Sequence, residues 1–125
     1  MRVLGDNYLG LGMKEEGIAM FWRRLEAGRA ALNLGPENPN FILLKNDLAL
    51  AYSRAREFEE AAKIGEEINA VLDKVFAPED KNFLTMRFNL GCYYEFSGRL
   101  REAIVLYKEV LAAWPSDERL RTSPL

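Results

Sequence analysis

The feature that most restricts what this chain can fold into is that it resembles itself. Leu48-Ala49-Leu50-Ala51-Tyr52 returns as Leu90-Gly91-Cys92-Tyr93-Tyr94, 42 positions later. A weaker copy, Leu4-Gly5-Asp6-Asn7-Tyr8, lies 44 positions upstream. A small residue, Gly17, Ala61 or Ala103, stands nine residues after each tyrosine. A fixed period of this length, with apolar residues at helical spacing almost throughout, is the mark of one supersecondary unit used repeatedly. Each unit reads as a helix, a short turn and a second helix. The turns fall at Gly10 to Lys14, Arg54 to Glu57 and Ser97 to Arg99. The joints centre on Gly35-Pro36-Glu37-Asn38-Pro39 and Ala77-Pro78-Glu79-Asp80, where proline stops a helix. The expected organisation is a single domain over 1–125, with units at approximately 1–35, 36–77 and 78–115 and a tail at 116–125.

These units resemble tetratricopeptide repeats. The pattern is a tryptophan, Leu-Gly and Tyr in the first helix, then Ala, Phe and Pro in the second. The third unit has Leu90-Gly91, Tyr94, Gly98, Ala103, Tyr107 and Trp114-Pro115. The second keeps Leu48-Ala49, Tyr52 and Ala61 but has Gly65 at the large aromatic position, and the first keeps Leu4-Gly5, Tyr8, Gly12 and Phe21. Met1, Lys45 and Arg87 replace the tryptophan, so that position is expected to be poorly filled. The long second helix, with Asn46-Asp47-Leu48 and Asn89-Leu90-Gly91 each following a proline-containing joint, is similar to the kinesin-light-chain-like branch. Where that branch usually has a histidine in the joint, this chain has Asn38 and Asp80. The resemblance implies an all-α, right-handed solenoid of about three antiparallel helix pairs.

Packing follows from the same pattern. Small residues Gly5, Ala49 and Gly91 are expected opposite Gly17, Ala61 and Ala103, because two helices approach closely only where side chains are small. Leu48, Tyr52, Phe58 and Ile64, with their counterparts Leu90, Tyr94, Leu100 and Leu106, are expected to fill the space between helices. A helix pair cannot bury both its faces alone, so each unit needs its neighbours. The first unit is the weakest, since Gly5, Gly10 and Gly12 lie in or beside its opening helix. Either a preceding repeat of a longer array or a second copy, forming a homodimer through the N-terminal edge, would cover it.

Composition narrows the function. There is no histidine and one cysteine, Cys92, which removes His-dependent nucleophilic catalysis and any thiolate zinc site. A net charge of −2 has the wrong sign for a phosphate backbone, so no nucleic-acid partner is expected. No apolar run approaches membrane-spanning length, so no membrane partner is expected and a cytoplasmic location is. Glu15-Glu16, Glu59-Glu60 and Glu66-Glu67 point about 100° apart on helices and read as solvated faces rather than catalytic pairs. Gly10-Leu11-Gly12 lacks the rest of a phosphate loop. Phe21-Trp22-Arg23-Arg24 reads as packing beside an exposed arginine pair, and the apolar residues of Ala103 to Ala113 as core. No catalytic residue, metal site or cofactor is expected.

What remains is shape. In such solenoids the first helices line a concave surface, the usual ligand site. Carried over from the family's pattern, Asp6, Leu9 and Gly10 would face it, then Asn46, Leu50, Ser53 and Arg54, then Phe88, Cys92, Glu95 and Phe96. Asn89 joins Arg54 and Asn46 as a further polar group there, too sparse a set for gripping a chain-end carboxylate. An apolar strip with a few charged points suits a peptide or helix bearing large apolar anchors. The expected function is a non-catalytic module that binds a protein or peptide partner. A structural or self-associating scaffold, as part of a larger regulator such as a transcription factor or signalling ATPase, is the alternative.

Overall fold

The computed structural model describes residues 14–32, 35 and 37–114. Among these the chain forms five helices and no strand: α1 Lys14–Leu32, α2 Pro39–Arg54, α3 Phe58–Val75, α4 Lys81–Phe96 and α5 Leu100–Ala113. Each packs against the next along the chain, so α2 with α3 and α4 with α5 are the helix pairs that the repeat implies.

The joints work alike. Asn38 caps α2 by accepting from the amide of Asn40 at 2.8 Å, and Pro39 opens the helix at a position where the N–H it lacks would have had no partner within the helix. Asp80 caps α4 by accepting from the amide of Asn82 at 2.7 Å. The turns inside the pairs also match. The amide of Glu57 donates to the carbonyl of Tyr52 at 2.9 Å, and that of Arg99 to the carbonyl of Tyr94 at 2.7 Å. Each repeat tyrosine therefore closes its helix with its own backbone. The turn needs a left-handed residue one position earlier: Gly98 supplies it freely at φ 90°, whereas Arg56 is forced to φ 64°.

Ile42, Leu48, Leu72 and Leu84 are the largest fully enclosed side chains, and Ala49, Ala61 and Ala103 are wholly buried at the helix crossings. A Cβ on Gly91 would lie 2.7 Å from the Tyr107 ring, so the third pair is as close as that ring allows. At Gly65 the missing aromatic makes room for Leu90 of the next unit, whose Cδ1 would lie 2.9 Å from an added Cβ.

Two packing expectations are corrected. Met1 lies outside the described residues, but in the other two units the tryptophan position is not poorly filled: Lys45 lies over the Phe41 ring at 5.7 Å and pairs with Glu67 at 2.7 Å. Arg87 repeats the arrangement over Phe83 and pairs with Glu109. The charged head lies over the ring and also ties first helix to second. Leu100 and the apolar residues of α5 are not all core. Phe58 is covered by Phe96 of the following helix, with ring centroids 5.0 Å apart, but its counterpart Leu100 has no following helix among the described residues and is 56% exposed. Ile104, Val105 and Leu111 are exposed with it, while Ala103, Leu106 and Val110 are buried.

Candidate functional site

The candidate face belongs to α2 and α4. Asp6 and Leu9, with the N-terminal edge proposed for self-association, lie outside the described residues. On α2, Asn46 and Leu50 are half-buried and Arg54 is exposed. On α4, Asn89 and Cys92 are half-buried, and Phe88, Glu95 and Phe96 are exposed.

The aromatic residues have partners that their spacing did not show. Phe88 is tilted against Tyr107 of α5 at 5.3 Å, and with Tyr107, Thr85, Val110, Leu111 and Trp114 it walls a trough of about 400 Å³ between α4 and α5. Phe96 reaches the other way, onto Phe58 of α3. The candidate residues therefore divide: Phe88 and Glu95 lie toward α5, and Phe96 toward the preceding pair. Glu95 accepts from the Tyr107 hydroxyl at 2.7 Å. Burial, then Cys92, then Glu95 push the Tyr107 phenol well above the usual tyrosine range.

Tyr93 of α4 packs against α3. It is buried, its ring lies 3.5 Å from where a Cβ on Gly65 would stand, and its hydroxyl has no hydrogen-bond partner among the described residues. Burial raises its pKa strongly; neighbouring Cys92 adds to this and the Arg54 guanidinium opposes it. Tyr93 escaped sequence reasoning because it precedes the repeat tyrosine and its counterpart in the second unit is Ala51.

A second crevice, of about 320 Å³, opens between α1, α2 and α3, walled by Trp22, Phe41, Tyr52 and the Lys45–Glu67 pair among others. Trp22 donates its indole N–H to the Tyr52 hydroxyl at 2.9 Å. Phe21 beside it is buried, and Arg23 and Arg24 are exposed. Among the described residues no three Asp, Glu or Cys side chains converge as metal ligands, and no helix is long and apolar enough to cross a membrane.

The fold is similar to the crystal structure of a Podosopora anserina protein described as kinesin light chain nearly identical TPR-like repeats. The two are 24% identical with a TM-score of 0.79, over 90% of this chain and 52% of that one. A single-substitution variant of the same protein gives 24% identity, a TM-score of 0.80 and the same coverage. The chain spans about half the length of these structures. No curated protein matches it. The tetratricopeptide repeat family model matches residues 40–116, which is more than half of the sequence, and the chain belongs to that family.

Proposed function

We propose that this chain is a non-catalytic interaction module, a single domain of three units, that holds a peptide or helix of a partner protein along the face made by the first helices of its pairs. Tetratricopeptide repeats mediate protein–protein interaction, and this chain has their fold. The observation that carries the finer reading is the mixture on α2 and α4: Leu50 and Cys92 half-buried, Phe96 exposed, and Arg54 and Glu95 as charged points beside them. Apolar anchors would supply affinity, and the charges would set register and direction.

Peptides selected from a displayed random library against the intact chain provide the ligand for the test. Leu50→Glu places a charge in the middle of the face and is expected to weaken the selected peptides about tenfold or more, with helix content unchanged by circular dichroism. Peptides that bind Leu50→Glu and Cys92→Glu as tightly as the original chain would remove the groove from the reading.

A further inference from the structure

The last helix presents a surface that the first-helix face does not use. Leu100, Ile104, Tyr107, Leu111 and Trp114 follow one another at intervals of four, three, four and three, the spacing of a coiled-coil seam. Leu100, Ile104 and Leu111 are 56%, 49% and 63% exposed, while the buried side of α5 is Ala103, Leu106 and Val110. The seam is continuous with the trough beside Phe88. Arg101 and Lys108, a heptad apart, border it on the side away from α4; both are exposed, and neither pairs with a carboxylate among the described residues.

The same molecule shows how such a seam is covered. On α1, Ile18, Phe21 and Leu25 stand where Ile104, Tyr107 and Leu111 stand on α5, counted from Gly17 and Ala103. There the seam is buried and α2 packs on the helix, with Leu25 beside Phe41 and Leu48. At its edge Asp47 of α2 meets Arg24 at 3.4 Å. Apolar side chains cover the stripe and polar contacts close its two borders: Arg24 is held by Asp47 on one, and on the other Trp22, at the position of Lys108, meets the Tyr52 hydroxyl at 2.9 Å.

We propose that α5 is a docking surface for an amphipathic helix of a partner protein, one that lays large apolar residues along the seam and brings carboxylates to Arg101 and Lys108. Charge complementarity selects this occupant: an apolar face alone would accept any amphipathic helix, whereas two exposed cations beside it, without a carboxylate partner among the described residues, favour an acidic one. The seam lies outside the first-helix face, so its test is independent of the Leu50 variant.

The probe is a synthetic helical peptide with a leucine and isoleucine seam bordered by glutamates, compared with the same seam bordered by lysines, each titrated with the intact chain by fluorescence anisotropy. The glutamate peptide is expected to bind more tightly, and more so at low salt. Leu111→Asp, at an exposed position that leaves the core alone, should weaken it about tenfold or more. The double substitution Arg101→Glu with Lys108→Glu should reverse the preference. Equal affinity for the two peptides, or binding unmoved by Leu111→Asp, overturns the proposal. A concentration-dependent dimer in sedimentation that Leu111→Asp dissolves, without peptide binding, assigns the seam to a second copy and overturns it as well.

Discussion

The two junctions between successive units are built around the same tyrosine and solve the same problem with different chemistry. At the first, Tyr52 of α2 reaches back to α1 and accepts a hydrogen bond from the Trp22 indole at 2.9 Å. At the second, Tyr94 of α4 reaches back to α3 and donates to Glu66 at 2.6 Å. Trp22 and Glu66 hold one structural position, each five residues after its small crossing residue, Gly17 or Ala61. A hydroxyl can donate or accept, so the repeat fixes where the tyrosine points and leaves the partner free to vary. The second junction then adds charge. Arg99 lies 4.1 Å over the Tyr94 ring and binds Glu66 at 3.3 Å and Glu102 at 2.8 Å, whereas its counterpart at the other turn is Glu57. The junctions share their geometry and differ in how polar their clasp is.

If the geometry is shared, the buried leucines at the centre of each junction should matter equally. Leu48→Ala and Leu90→Ala each empty a buried site, and each is expected to cost about 2–5 kcal/mol in urea unfolding. A cost confined to one of them would break the equivalence. Next come the close approaches. An added Cβ at Gly91 meets three atoms of the rigid Tyr107 ring, the nearest at 2.7 Å, while one at Gly28 meets only the terminal methyl of Leu44 at 2.8 Å. Gly91→Ala should therefore cost about 1–3 kcal/mol. In Gly28→Ala the leucine can turn aside, and the gain in helix propensity, about 1 kcal/mol, offsets the crowding. Equal effects in thermal unfolding would mean that α1 and α2 meet as rigidly as α4 and α5.

Much of this was legible in the chain. The tyrosine period, the proline joints and the small crossing residues gave helix pairs whose described bounds agree with the structure to within a few residues. What escaped is informative. Lys45 and Arg87 count as polar in any pattern, yet their charged heads lie over Phe41 and Phe83 and pair across to Glu67 and Glu109, so a position read as badly filled proved well filled. Leu100 and Leu111 count as apolar, yet whether they are buried depends on a neighbour on the far side of α5, which periodicity within that helix does not encode. The candidate face suffered in the same way. Phe88 and Phe96 were placed there by register, but the structure pairs one with α5 and the other with α3.

The clasp itself is tested by removing one hydroxyl at a time. Tyr94→Phe removes a hydrogen bond to a carboxylate and is expected to cost about 1.5–3 kcal/mol, while Tyr52→Phe removes a neutral one beside a half-exposed indole and should cost about 0.5–1 kcal/mol. Alkali separates the two further. Burial first, and then the bond to Glu66, raise the Tyr94 phenol to about 12, so the fold favours its neutral form. The stability this supplies is complete below the ordinary tyrosine value of about 10 and is lost as pH rises from there toward 12, since the unfolded chain gives up that proton first. Tyr93 and Tyr107, pushed up more strongly, add to the same decline. Urea midpoints measured across that range should therefore fall less steeply in Tyr94→Phe, by the slope of about one proton. Unchanged steepness would mean that Glu66 and Arg99 hold the second junction without the tyrosine hydroxyl.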